Sequence, residues 1–272
     1  MKKIGIISGG GKLPLLIGKN LISKNFKVIF FVLEDHIDNK AYNGLDVCSI
    51  NLTSVKKLIY LLKSYTIRNI ILAGNISRPS ISDIKFDFQT IKLAKKLLFN
   101  NSGDNALLLS IKFFFNESGF SYFNWKKYCP ELFANEDYLT ESKPSNIALK
   151  NLQKAISVFK KFGKLDIGQS LIIQNQIVLG LEAVEGTDNL IIRCKDFKKK
   201  GDRGILVKFA KYNQSNIIDI PTIGEKTIFL LKKNNYEGIF LEKNSCLILD
   251  KNKTINLANK NNIFISTCNK IV

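Results

Sequence analysis

The chain has 272 residues, 45% of them hydrophobic, and a formal net charge of +18, so it is long enough for one large domain or two of ordinary size. The single histidine, His36, excludes binuclear metallophosphatase centres and most zinc hydrolase sites, and leaves oxygen-held hard cations such as Mg²⁺ as the metal class to consider. Five widely spaced cysteines with no Cys-x-x-Cys pair argue against a disulfide framework, no apolar run approaches the ~20 residues of a membrane span, and the excess charge is mostly lysine without basic runs interleaved with aromatics, so no nucleic-acid partner is expected.

In chain order, Lys3 to Ser8 reads as a short buried strand, followed by three glycines and a helix from about Leu13 to Lys24. The glycines interrupt the first apolar run, so no signal peptide is expected. Val28 to Leu33 is a second strand, Ser54 to Tyr65 an amphipathic helix, and Asn69 to Ala73 a third strand. This alternation predicts a parallel sheet with helices on its faces, whose ligands sit at the carboxyl ends of the strands. Helices are predicted near Phe88 to Phe99 and Asn105 to Glu117. The mixed stretch Asn124 to Ser145 holds the domain boundary, which we set between residues 130 and 131.

The second half opens with a helix near Asn146 to Phe162. Two β-rich runs, Ser170 to Gln174 and Ile177 to Ala183, predict a hairpin around Asn175. Ile205 to Phe209 is a strand. Thr222 to Lys233 is expected as a helix started by Pro221. Ile239 to Glu242 and Cys246 to Leu249 are short strands, and a helix and the run Ile263 to Ser266 close the chain.

Five segments carry candidate chemistry. Ser8-Gly9-Gly10-Gly11-Lys12-Leu13-Pro14 joins a strand to a helix; it reads as a tight turn or as a phosphate cradle. Pro14 stands where a Rossmann fingerprint needs its third glycine, which disfavours dinucleotide binding. Ala73-Gly74-Asn75-Ile76-Ser77-Arg78-Pro79-Ser80 follows the third strand, and Arg78 is a candidate phosphate clamp. Gly103-Asp104-Asn105 precedes a helix; Asp104 suits an N-cap or a hydrogen bond to a sugar or base.

Leu165 to Ser170 and Glu182 to Asp188 form the fourth group, where three carboxylates lie close enough to require a cation or a hydrogen-bond network among them. The fifth runs from Lys208 through Lys211 and Gln214 to Asp219-Ile220-Pro221-Thr222-Ile223-Gly224. There Asp219 is placed to orient water or to hold Mg²⁺, with lysines offsetting phosphoryl charge.

In order and spacing, these five segments resemble the LpxI family over almost the whole chain. The resemblance implies an α/β protein: an N-terminal Rossmann-like parallel-sheet domain over 1–130 and a C-terminal α/β domain peculiar to the family over 131–272. It implies Mg²⁺-dependent hydrolysis of UDP-2,3-diacylglucosamine to UMP and 2,3-diacylglucosamine 1-phosphate (lipid X), a step of lipid A biosynthesis. The family's essential aspartate corresponds to Asp219, also the expected metal ligand. Substrate contacts are then expected at Gly10, Gly11, Asn75, Arg78, Gly103, Asp104, Gln169, Gly186, Thr187, Asp188, Lys208, Lys211, Gln214, Thr222, Ile223 and Gly224. The expected setting is the cytoplasm, with transient contact at the inner-membrane surface.

The sequence departs from the family at Asn105, Ser215 and Ile217, where an aspartate, an aspartate and an arginine are usual. An acid and a base vanish together near Asp219, the pattern left by a lost salt bridge. These changes define the alternative reading, a non-catalytic nucleotide-sugar or lipid-binding protein.

Overall fold

A computed structural model describes residues 1–38, 40–51, 55–75, 104–165, 167–210 and 220–269. The side chains of 104–110 and 164 also lie outside the description. The chain divides into two compact units, Met1–Cys129 and Pro130–Val272.

The N-terminal unit runs β1 (Lys3–Ser8), α1 (Leu13–Ser23), β2 (Lys27–Leu33), β3 (Val47–Ile50), α2 (Val55–Ser64), β4 (Asn69–Ala73), α3 (Asp104–Glu117) and β5 (Ser121–Tyr122). The sheet order is β3-β2-β1-β4-β5, with every described pairing parallel. Strands buried on both faces read as continuous apolar runs, as β1 and β2 do. On one face Ile7, Ile29 and Phe31 pack with Val55, Leu58, Ile59 and Leu62 of α2, the apolar stripe spaced at helical period. On the other, α1 approaches so closely that a methyl at Gly18 would collide with the Phe30 ring. The expected helix over 88–99 lies outside the described residues.

The C-terminal unit opens with α4 (Asn146–Phe162), capped by Ser145, whose Oγ accepts the Ala148 N–H at 3.1 Å. The hairpin β6 (Ser170–Gln174) and β7 (Ile177–Leu181) turns through Asn175 and Gln176, both at positive φ (51° and 59°), as a tight hairpin turn requires. Then come α5 (Gly186–Cys194), β8 (Ile205–Lys208), β9 (Thr222–Ile223), α6 (Glu225–Lys233), β10 (Gly238–Glu242), β11 (Leu247–Ile248), α7 (Lys251–Lys260) and β12 (Phe264–Cys268). The main sheet is ordered β12-β10-β8-β6-β7, with β8, β10 and β12 parallel and the hairpin antiparallel.

Period-two alternation sorts its two faces. Leu171, Ile173, Ile205, Val207 and Phe240 pack with Phe159 and Phe162 of α4. Ile172, Leu206, Ile239 and Leu241 pack with Leu190 and Ile191 of α5 and Ile228 and Leu231 of α6. Lys208, last in β8, follows Leu206 onto this second face.

One expected element is different. The helix anticipated from Thr222 starts at Glu225, with Gly224 as its N-cap. Thr222 and Ile223 instead pair in parallel with Leu247 and Ile248, and the Pro221 carbonyl accepts the Leu247 N–H at 2.8 Å. A distant strand outcompetes the local tendency of proline to start a helix. Asp219 therefore precedes a strand in the sequence rather than a helix.

Candidate active site at the sheet edges

In the N-terminal unit the loop after β1 is closed by backbone. Gly9 N–H donates to the Ala73 carbonyl at 2.9 Å, Gly10 N–H to the Asn75 carbonyl at 2.7 Å, and Asn75 N–H back to the Gly10 carbonyl at 2.9 Å. Gly74 makes this approach possible: its φ is +92°, and a methyl there would sit 2.6 Å from the Gly10 oxygen. Gly10 and Asn75 thus hold two loops together at the carboxyl edge, and the Gly10 N–H is already committed. Gly11, at φ +89° with open space around it, leads into α1. The His36 ring lies over Gly10, 3.2 Å from where a methyl would be. The Ser8 hydroxyl is fully buried at the end of β1 without a hydrogen bond of good geometry among the described residues. Its neighbour is the Tyr42 phenol, which burial pushes up and the Ser8 hydroxyl draws back.

In the C-terminal unit the equivalent edge is closed by side chains. Lys208 is only 4% exposed. Its Nζ donates to Thr187 Oγ1 at 2.6 Å and to Ser170 Oγ at 3.2 Å. Glu182 stands beyond: its Oε1 accepts the Thr187 hydroxyl proton at 2.9 Å, and its Oε2 lies 3.8 Å from Lys208 Nζ. Four elements meet here, β6, β7, β8 and α5: Ser170 is the register partner of Lys208, Glu182 follows β7, and Thr187 stands in the first turn of α5. Gly168 passes close under the Glu182 backbone, since a methyl there would land on the Glu182 carbonyl oxygen.

The other carboxylates of this segment have partners too. Glu185 pairs with Arg193 at 2.8 Å and Asp188 with Lys226 at 2.8 Å. The cations needed to keep three carboxylates together are therefore present, one for each.

Further along the same edge, Glu242 ends β10 and is 3% exposed. Its Oε2 accepts the Ala210 N–H at 3.2 Å and its Oε1 the Ser245 hydroxyl at 3.0 Å. The Cys246 thiol donates to the Lys208 carbonyl at 3.4 Å. The turn after β10 thus ties down Ala210 on one side and Pro221, through Leu247, on the other. Between them lie Lys211, Gln214 and Asp219, outside the described residues, as are Arg78, Gly103 and the side chain of Asp104.

The structure brings Gln169, Gly186, Thr187 and Lys208 to one edge. Gln169 is buried there and its carbonyl accepts the Phe209 N–H at 2.9 Å. Gly186 opens α5 at φ +77°. Asp188 points to the exposed Lys226 ammonium. Thr222 Oγ1 bonds the Ile220 carbonyl at 2.8 Å, Gly224 caps α6, and Ile223 is a core residue at 2% exposure. Ser170 and Glu182, which complete the lysine's surroundings, were not among the expected contacts. The register that places Ser170 beside Lys208 joins residues 38 apart, and no local spacing reveals it.

Comparison with known proteins adds the family. A curated protein of Caulobacter vibrioides, UDP-2,3-diacylglucosamine pyrophosphatase LpxI, is 28% identical over 274 residues, covering 97% of each chain. Among solved structures, a short chain dehydrogenase family protein from Francisella tularensis aligns with 60% of this chain and 66% of its own at 17% identity and TM-score 0.25. A UDP-N-acetylglucosamine 4-epimerase from Bacillus cereus aligns with 99% of this chain and 77% of its own at 11% identity and TM-score 0.27. Neither overlap is close enough to relate the folds. The model of the LpxI N-terminal domain matches residues 3–132 and that of the LpxI C-terminal domain residues 135–266. The two matches follow in sequence and meet within a few residues of the boundary between the compact units, so this chain belongs to the LpxI family.

Proposed function

We propose that this chain hydrolyses the pyrophosphate of UDP-2,3-diacylglucosamine, releasing UMP and 2,3-diacylglucosamine 1-phosphate, as a step of lipid A biosynthesis. The observation that carries this reading is the end-to-end match to the Caulobacter vibrioides protein of that name. The chemistry asks for two things. The diphosphate carries two negative charges that repel an incoming hydroxide, so positive charge must face it, and a water must be held in line with the phosphorus under attack. We assign the first task to Lys208, Lys211 and Arg78 and the second to Asp219.

Mg²⁺ belongs to the same proposal. Among the described residues no group of three His, Cys, Asp or Glu side chains stands together as a metal cage. Mg²⁺ is commonly held by one or two carboxylates together with substrate phosphates, and Asp219 is the carboxylate we assign. When bound, the ion would offset charge on the phosphoryl oxygens. We place the reaction in the cytoplasm at the inner-membrane surface, where the +18 charge favours anionic headgroups. No helix among the described residues is long and apolar enough to cross a membrane.

The test is a product assay with UDP-2,3-diacylglucosamine and Mg²⁺, in which UMP and lipid X are expected and EDTA stops their release. Substrate binding without UMP would favour the non-catalytic reading. Asp219→Ala is expected to lose at least about 100-fold in turnover while still binding substrate. Wild-type rates in that variant would remove Asp219 from the mechanism.

A further inference from the structure

A lysine at the end of β8 is an anomaly of pattern. Ile205, Leu206 and Val207 alternate between two apolar cores, and the next position, fully in line, is an ammonium at 4% exposure. Burying such a charge is costly unless polar groups meet it.

Thr187 has one hydroxyl proton, and it points at Glu182 Oε1, 2.9 Å away. Its two lone pairs are then filled by Lys208 Nζ at 2.6 Å and by the Ser170 hydroxyl at 3.3 Å. Ser170, its own proton spent on Thr187, accepts from Lys208 at 3.2 Å. Thr187 is therefore saturated and has nothing left for a ligand. Lys208 has used two of its three N–H groups. The Glu182 Oε2 oxygen lies 3.8 Å from the ammonium, beyond hydrogen-bond reach of the third. That oxygen is buried and has no hydrogen bond among the described residues. The carboxylate thus acts on the lysine through Thr187 rather than by a direct bond, and among the described residues the ammonium keeps one donor uncommitted.

We propose that Glu182, Thr187 and Ser170 are positioning residues that fix Lys208 so that its third N–H meets a phosphoryl oxygen of the substrate diphosphate. This rests on the proposed reaction, and it moves Thr187 from substrate contact to support. Lys208 touches the substrate; the other three act through it. Glu182 supplies the counter-charge that keeps the lysine tolerable in the core without quenching it, and two hydroxyls of fixed position set its direction.

The test uses the full chain. Thr187→Val preserves shape and removes the hydroxyl, and kcat/KM for UMP release is expected to fall about 100-fold, the cost of a small misplacement at a reacting group. Thr187→Ser restores most of that loss. The same proteins are titrated with UDP, which presents a diphosphate without requiring hydrolysis; Thr187→Val is expected to bind about tenfold more weakly, and Thr187→Ser close to wild type. Added to Lys208→Ala, Thr187→Val is expected to cost less than about twofold more, because the group it positions is gone. A purely structural threonine would give additive losses that track the melting temperature.

The proposal is overturned if Thr187→Val binds UDP like wild type, if Thr187→Ser is as impaired as Thr187→Val, or if the losses add in full with Lys208→Ala. Wild-type protein that shows the expected UDP pattern but releases no UMP would sink the reaction while supporting the positioning. Protein that does neither would sink both.

Discussion

At the carboxyl edge of the N-terminal sheet the chain closes on its own backbone, with Gly9, Gly10 and Asn75 exchanging main-chain hydrogen bonds. At the carboxyl edge of the C-terminal sheet it closes with side chains: Lys208, Thr187, Ser170 and Glu182 in one cluster and Glu242 in another. A backbone closure depends on where glycines let two chains approach, so it has little chemistry beyond its remaining N–H groups. A side-chain closure costs desolvation of several charges and offers directed donors in return. Among the described residues, the difference assigns geometry to the first edge and chemistry to the second.

The strongest way to break that contrast is to add one methyl group to each closure. At Gly168 the methyl would meet the Glu182 carbonyl oxygen well inside van der Waals contact. Backbone cannot swing aside as a flexible side chain can, so Gly168→Ala is expected to cost about 3 kcal/mol and to reduce UMP release by displacing Glu182. Gly74→Ala, with φ at +92° and the Gly10 oxygen 2.6 Å from the new atom, is expected to cost about 2 kcal/mol. Gly11→Ala has open space and only the strained φ of +89°, so about 1 kcal/mol is expected. Urea midpoints, with hydrogen exchange to assign each loss to its unit, check the ranking. Equal losses at Gly168 and Gly11 would mean that the Gly168–Glu182 contact relaxes freely.

A smaller effect separates the units by pH. Burial pushes the thiols of Cys246 and Cys268, both at the C-terminal edge, up to about 12 from an ordinary 9.0. The folded state therefore holds these protons more tightly than the unfolded chain. The stability this brings is complete below about pH 9 and is lost as pH rises towards about 12. At pH 10, one unit above the ordinary value, each thiol is expected to have removed about 1.4 kcal/mol. Melting followed from pH 8 to 10 should show the decline in the C-terminal unit, and Cys246→Ala or Cys268→Ala should flatten it. An unchanged slope in both variants would show that the thiols do not ionise on unfolding in this range.

The same contrast explains what the sequence made legible. Buried strands such as Lys3–Ser8 and Lys27–Leu33, and amphipathic helices such as Val55–Ser64, announce themselves because local periodicity and local burial coincide. The glycine turn after β1 is legible from its local run of glycines, but its closure on Asn75 is a tertiary pairing that no local run announces. Val47–Ile50 is a partly exposed strand at the sheet edge and carries no such run, and Thr222–Ile223 is a strand only because Leu247–Ile248 lies beside it. Lys208 and the Glu182 to Asp188 carboxylates stand out by charge, yet their mutual geometry is set by a register between β6 and β8 that no short window contains. Side-chain sites are assembled by tertiary pairing, so composition can nominate their members and cannot join them.

The smallest expected effect probes whether the N-terminal edge is as free of side-chain chemistry as its backbone suggests. Among the described residues, Ser8 is an exception there: a hydroxyl at 0% exposure with no good hydrogen bond. A buried hydroxyl left unsatisfied costs on the order of 1 kcal/mol. If Ser8 serves only as a small residue at the end of β1, Ser8→Ala removes the penalty and raises the stability of the N-terminal unit by about 1 kcal/mol, with UDP affinity unchanged. If the hydroxyl finds its partner in a ligand, the same variant binds UDP several-fold more weakly, and the gain in stability persists only without the nucleotide. Melting with and without UDP separates the two outcomes. The second would make the end of β1 a side-chain site in miniature and reduce the contrast between the two edges to one of degree.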